Sequence, residues 1–405
     1  MLKSLPLRSL IAAAGFENSV STYGSGKLPD NELRELAISN PNSFIRVVKP
    51  QFLDDTILPG TSEFLEASSS HLMTLIQNNV LQSLPNGVFL YSQFQPQTQQ
   101  LLMGWVVGIT ADSYFTGYIK KHENTLEGKE NRLVDHLEAL DSMAEPVLLA
   151  NKFNEELIEL MSAKYSENPL ISVTDNYGFI HQLRGEFDEV IYNHILSLID
   201  NIGSLYIADG HHRFAAASKY LKKHNWSFSK GVMSLVMNQE DLSIKSFYRL
   251  VKYSEPIDFE SEISKLGIEY SKCELSDTEN CNLNSGEIIA ITGKGDYKLN
   301  LSTHLSSQHN AVDELEVTQL ENQILGPLFK LYDSKTDGRI SFLRGDIPIY
   351  KIKEKLKKDE VDFVFVLPAN TFSQVMNVAD QQLTMPPKST WIEPKLMTGF
   401  IIQQF

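Results

Sequence analysis

The chain has 405 residues, enough for two or three domains or one large elaborated one. Its net charge of −15, from 36 basic and 51 acidic side chains, excludes the broad basic face that nucleic acid requires, while a local basic pocket for a small anion stays compatible with it. With 42% hydrophobic and 21% charged residues, the composition is that of an ordinary soluble globular protein. The longest apolar run, Leu101 to Ile109, is too short to span a bilayer. The two cysteines, Cys273 and Cys281, lie in a polar stretch without histidine at metal-ligand spacing. That argues against a disulfide framework or a structural zinc site and fits a cytoplasmic location.

The N-terminus carries a leader-like apolar stretch, but Pro6 and Arg8 interrupt it, so it reads as a first strand and turn. A Ser/Gly stretch from Ser19 to Lys27 precedes a helix over about Asn31 to Ala37. The β-branched run Ile45-Arg46-Val47-Val48-Lys49-Pro50 predicts a strand. Residues 62–82 carry helical spacing, and Val88 to Phe94 and Leu101 to Ile109 read as adjacent strands. A polar cluster, from Lys120 through His122, Glu123, Thr125, Lys129 and Glu130 to Arg132, opens a helix striped by Leu133, Leu137 and Leu140. Its plain reading is a solvated helix start with Thr125 as cap. Residues 152–163 and 186–200 are further amphipathic helices.

Next comes the segment around which the chain is organised: a buried strand (Leu205 to Ala208), the turn Asp209-Gly210-His211-His212-Arg213, and an alanine-rich helix ending in Lys219, Lys222 and Lys223. Gly210 permits a backbone angle closed to other residues. The free N–H groups of the first helical turn make an anion site, and His211, His212 and Arg213 add donors or cations at the same end. The plain alternative is Asp209 as helix cap and Arg213 in a surface ion pair.

Beyond it, Val232 to Met237 predicts a strand, and Leu242 to Val251 brings Arg249 as a further candidate for the same anion. Ser271 to Ser285 reads as surface loop, Ile288 to Ile291 and Tyr297 to Leu301 as a hairpin, 311–332 as one helix, and Val361 to Leu367 as a buried strand. Met385-Pro386-Pro387-Lys388-Ser389-Thr390 is a rigid turn, either a lid or a structural bend, before a last strand, Thr398 to Gln403. Irregular alternation of helices, strands and hairpins predicts an α+β (mixed α/β) fold. A soft boundary near residue 255 divides it into 1–254 and 255–405, with a shared core left open.

Several blocks together resemble the DUF1015 family. They are Asn40-Pro41-Asn42-Ser43-Phe44, His122-Glu123-Asn124-Thr125 with Lys129-Glu130-Asn131-Arg132, Ala208 to Arg213, Phe247-Tyr248-Arg249, Asp337-Gly338-Arg339-Ile340, and Met385 to Thr390 with Pro394-Lys395. More distantly, Gly210, His212 and Arg213 resemble the Gly-x-His-Arg phosphate motif of the ParB/sulfiredoxin superfamily. The resemblance implies a ParB/sulfiredoxin-like nucleotide-binding core with large insertions and an α/β C-terminal part. His211 stands where sulfiredoxin has its reactive cysteine, which excludes sulfinate repair, and the acidic charge argues against DNA partition. At one place the family pattern is broken: Ser21-Thr22-Tyr23-Gly24-Ser25-Gly26 replaces a Pro-Tyr-Asp segment.

The remaining member type, a free L-serine kinase, implies a nucleotide-dependent phosphotransferase that uses ATP or ADP with Mg²⁺ on a small hydroxyl acceptor. Gly210 and the following N–H groups, with His211, His212, Arg213, Thr125, Lys129 and Arg132, would hold phosphate. Asp209 would serve as metal ligand, base or structural group, Glu123 with His122 as general base, and Arg249, Lys388 and Ser389 as substrate contacts. Phosphoryl transfer needs little more than charge neutralisation, alignment and a proton acceptor. The rival readings are a nucleotide-binding switch without an acceptor and a nucleotide or phosphoester hydrolase. A zinc or manganese site from His122, Glu123, His211, His212 and Asp209 is a further alternative, although the spacing is not that of a helical metal motif. The expected partners are nucleotide and small substrate, with neither nucleic acid nor membrane, and a homodimer is one candidate assembly.

Overall fold

The computed structural model describes residues 1–24, 27–275, 283–301, 310–345 and 347–405. Cys281, Ser25 and Gly26 lie outside the described residues. The chain forms two compact units, Met1–Leu242 with Pro394–Phe405, and Ser243–Glu393. The expected division stood at 254/255, with the C-terminal end in the second part; here Pro394–Phe405 belongs with the first unit.

The first unit is built on a nine-stranded mixed sheet. Its order is Ile119–Lys120, Leu205–Asp209, Val147–Asn151, Gly231–Asn238, Gln100–Thr110, Val88–Gln95, Ile180–Glu186 and Ile171–Thr174, with Ser4–Leu5 paired to Gln100–Thr110. Leu205–Asp209 runs parallel to Ile119–Lys120 and antiparallel to Val147–Asn151, with an irregularity between Ile207 and Asp209. Every residue of Gly231–Asn238 is buried, in keeping with a strand that is apolar on both faces apart from Ser234 and Asn238. A four-stranded sheet pairs Ser9–Ala12 with both Leu81–Ser83 and Ile402–Gln404, so the end of the chain is hydrogen-bonded to its start. The mixed α+β class is therefore the observed one. Among the described residues no helix is long and apolar enough to cross a membrane.

One predicted strand is a helix. Ile45–Val48 is α-helical and runs into a 3₁₀ turn, Pro50–Phe52. Ile45 packs with Leu33, Ala37 and Phe52, while the Arg46 guanidinium donates to the Ala37 (2.7 Å) and Ile38 (3.2 Å) carbonyls at the end of the Asp30–Ser39 helix. Tertiary packing and that carbonyl-capping arginine override the β-branched preference.

Beneath this region a buried network fixes Tyr23. Its hydroxyl donates to Asp175 Oδ2 at 2.6 Å, His181 Nε2 lies 3.2 Å from the same oxygen, and the Tyr91 hydroxyl lies 2.7 Å from His181 Nδ1. Burial alone would raise the Asp175 pKa; hydrogen bonds from His181, Tyr23 and the Phe179 N–H outweigh it and hold the carboxyl at about 2.

The second unit holds a six-stranded antiparallel sheet ordered Glu269–Cys273, Gly295–Asn300, Glu287–Thr292, Phe363–Val366, Phe247–Val251 and Ile340–Arg344. Helices Ile349–Lys357 and Phe372–Asp380 belong to it, with Ile352 and Val364 in one core cluster. The predicted helix 311–332 is interrupted: Glu316–Leu320 gives way to a π turn, Glu321–Leu325, and then to Gly326–Phe329. Pro327 has no N–H to bond back to Gln323, which disfavours a regular α ladder there. Asp337 and Arg339 form an ion pair at 2.6 Å.

Candidate active site

The site lies in the first unit, where the Leu205–Asp209 strand ends and the His211–Lys223 helix begins. Gly210 sits between them at φ 99°, left-handed backbone that a side chain strains. The helix has no side-chain cap, so Asp209 does not cap it. Instead Asp209 gives one oxygen to Lys395 Nζ (2.6 Å) and the other to Arg213 Nη2 (2.7 Å). Burial opposes its ionisation, but the attraction of Lys395 and Arg213 holds its pKa below the ordinary value. The Arg213 guanidinium also pairs with Glu145 Oε1 (2.5 Å) and donates to the Pro146 carbonyl (2.7 Å). It folds back over Gly210, where an added Cβ would meet it at 3.0–3.1 Å.

The two histidines of the turn part company. His211 is turned inward and buried, its ring perpendicular to that of His122 at 4.5 Å between centroids, and its Nδ1 is 3.6 Å from Glu123 Oε2. Burial, with help from the neighbouring His122, drives its pKa well below the ordinary range. His211 is therefore a neutral packed group and not the expected phosphate cation. His122 is equally buried, and desolvation lowers its pKa to about 4.

His212 points the other way, into a cavity of about 380 Å³ lined also by Lys49, Pro59, Phe64, Lys129, Arg132 and His136. Among the described residues no carboxylate lines it. Burial and the Lys129 charge lower the His212 pKa against the opposing pull of Glu130, and a bound anion would favour its cationic form. An adjoining cavity of about 280 Å³ shares Val48, Lys49, Leu133 and His136 with the first and is lined further by Gly24, Glu145, Arg213 and Thr398. Glu145 accepts from the Thr398 hydroxyl at 2.9 Å. A Cβ on Gly24 would lie 4.0 Å from Glu145 Oε2, so Glu145 supplies a carboxylate beside the place where the family pattern is broken.

Both cavities are positioned by the Glu127–Leu140 helix, which packs on the central helix through Lys219–Glu130 (2.5 Å) and Lys223–Glu138 (2.8 Å). Glu130, on the helix start that reads as solvated, is thus buried in an interface. Thr125 does not cap this helix: Leu126 holds the cap position with no side-chain bond, and the Thr125 hydroxyl bonds Glu130.

Of the predicted residues, the structure brings His212, Lys129 and Arg132 together around one cavity and places Arg213 on the next. His122, Glu123 and His211 form a separate cluster, the ligand-capable group among the described residues; Asp209, the expected metal ligand, is not in it. Arg249, Lys388 and Ser389 lie in the second unit. There the buried Arg249 donates to the Phe247 (2.9 Å) and Lys388 (3.2 Å) carbonyls, and Ser389 Oγ donates to the Pro386 carbonyl (2.6 Å). Lys49, His136, Glu145 and the site role of Lys395 were missed. Lys395 stood in a family-like block and Glu145 just ahead of Pro146, but spacing alone tied neither to the turn.

Comparison with the curated proteins yields no match. Among solved structures the chain is similar to a free serine kinase in complex with AMP, at 16% identity and TM-score 0.36, over 71% of this chain and 87% of that one. A conserved hypothetical protein from Pyrococcus furiosus is similar at 16% identity and TM-score 0.34, over 72% and 94%. A C-terminally truncated SbnI from Staphylococcus aureus is similar at 14% and 0.36, over 71% and 82%. The family model described as a protein of unknown function, DUF1015, matches residues 20–320, and the chain belongs to that family.

Proposed function

We propose that the first unit is a nucleotide-dependent phosphotransferase acting on a small hydroxyl acceptor, with free L-serine the acceptor of choice. One observation carries the reading. In a chain of net charge −15, Lys49, Lys129, Arg132 and two histidines converge on a cavity without a carboxylate in its lining, beside an uncapped helix start. Such a cavity fits an anion of several charges. The apolar walls of the adjoining cavity (Ile45, Val48, Leu133, Leu137 and Met143) suit a nucleobase or ribose, as small-ligand pockets are mostly apolar with a few placed polar groups.

In this reading ATP or ADP places its phosphates toward His212, Lys129 and Arg132. The acceptor hydroxyl approaches beside Arg213, and a neighbouring carboxylate takes its proton. Glu145, on the cavity wall, is better placed for that than Glu123, which faces His211. Asp209 does not fit a magnesium ion as arranged: both of its oxygens are committed to cations, whereas Mg²⁺ seeks open oxygen ligands in octahedral geometry.

The test is calorimetric titration with ATP and ADP. Lys129 and Arg132 are exposed, so Lys129→Glu with Arg132→Glu should weaken nucleotide binding at least ~10²-fold with little change in melting. Unchanged affinity would remove the cavity from consideration. Serine-dependent nucleotide consumption separates the transferase from a hydrolase or a binding switch.

A further inference from the structure

We infer that His122, Glu123 and His211 form a binding site for one divalent first-row transition metal, zinc or manganese being the probe ions. The inference does not rest on the phosphotransferase reading. One ligand atom from each residue lies within 4.8 Å of the other two. A tetrahedral shell holds its ligands roughly 3.4 Å apart, so the three atoms stand within about 1.5 Å of a ligating arrangement. Glu123 is half exposed at the mouth of the cluster, whereas the two rings are buried.

The independent sign is His122. It is 1% exposed, and neither ring nitrogen has a hydrogen-bond partner among the described residues. Buried polar atoms without partners are uncommon in native folds and call for a ligand or an ion. Here the nearest groups to supply one are the His211 ring, perpendicular at 4.5 Å, and Glu123 beyond it. Two imidazoles and a carboxylate suit zinc, manganese or iron and not the hard, oxygen-seeking magnesium or calcium.

The His122 backbone N–H donates to His211 Nε2 at 3.4 Å, and the Nδ1 edge of that ring faces Glu123. Lys121 and Arg213 raise the local positive potential, against which Asp209 and Glu123 supply negative charge. Because His211 is the first residue of the central helix and His122 follows the Ile119–Lys120 strand, a bound metal would clip that strand's exit to the turn that opens the anion cavity. It would be a positioning element for the site.

The experiment titrates the untagged full-length chain, freed of metal by chelation, with Zn²⁺ and separately with Mn²⁺, and follows Co²⁺ by its visible absorption. The inference expects one equivalent bound per chain and affinity falling at least ~10²-fold in both His122→Ala and Glu123→Gln, since even loss of an outer-sphere partner costs 10–100-fold. Glu123→Gln replaces a half-exposed group, so it reports even where His122→Ala disturbs folding. His194→Ala, which removes the exposed His194–Glu156 pair (2.7 Å), should leave binding unchanged. The absence of stoichiometric binding, binding that survives both cluster variants, or binding lost only with His194→Ala would each overturn the inference.

Discussion

Arg213→Ala is the most informative substitution, because the structure assigns Arg213 more than a charge at the cavity wall. It holds Asp209 at 2.7 Å, Glu145 at 2.5 Å and the Pro146 carbonyl at 2.7 Å. A charge-assisted bond contributes ~1.5–3 kcal/mol when buried and an open surface pair ~0–1. The Arg213 side chain is 21% exposed, with Asp209 at 34% and Glu145 at 30%, so about 1 kcal/mol for each contact is appropriate, or about 3 kcal/mol in all. Asp209 keeps Lys395 and Glu145 keeps Thr398, which limits the loss. Arg213 in a plain surface ion pair would give an equally stable variant; its three contacts predict a looser one. Hydrogen exchange over residues 205–223 is the assay, since it reads this segment without assuming that two units unfold together. Exchange should accelerate ~10²-fold in Arg213→Ala, and by an intermediate factor in Arg213→Lys, whose ammonium cannot bridge both carboxylates. Wild-type exchange in Arg213→Ala would refute the bridging role.

Gly210→Ala places a side chain at φ 99° and drives a Cβ to 3.0–3.1 Å from the Arg213 guanidinium, so it should cost ~1–3 kcal/mol and reproduce part of the Arg213→Ala exchange pattern. Lys219→Met leaves buried Glu130 without its cation. Burial raises the Glu130 pKa, but Lys219 and Thr125 lower it further, so the net value is depressed; the linked stability is present above the unfolded carboxylate range and lost as pH falls through the folded value. Without Lys219 burial is left to raise the folded value, so in melting curves Lys219→Met should be less stable near neutral pH, with the difference from the wild type shrinking as pH falls through the carboxylate range. Asp175, at about 2, likewise contributes stability that is complete above pH ~4–5 and disappears toward pH 2, amounting to ~2 kcal/mol. Asp175→Asn should flatten that acid limb, and an unchanged limb would contradict the network.

The centre of the fold was readable because its signals were local. Leu205 to Ala208 is apolar on both faces, Gly210 marks the left-handed turn, and the alanines after it commit the chain to helix. The strands Val88–Gln95 and Gln100–Thr110 were legible for the same reason. Ile45–Val48 was misread because its partners, Leu33, Ala37 and Phe52, decide its conformation from outside the run. Lys129, Arg132 and His212 could be named from their motifs, but their joining in one cavity depends on two helices packing together. Lys49 and His136 carry no motif at all; only the folded chain brings them to that wall. The inward turn of His211 was equally unreadable, since adjacent histidines differ only in which side of the helix start each occupies.

The account stands most directly on phosphorus NMR of the purified chain with Mg²⁺ and ATP or ADP, with and without free L-serine. It predicts a phosphoserine resonance that requires both protein and serine and is lost in Lys129→Glu with Arg132→Glu. Inorganic phosphate alone, or nucleotide resonances that shift without turnover, would contradict the transferase in favour of the hydrolase or the switch. Unperturbed nucleotide resonances would contradict the anion cavity itself.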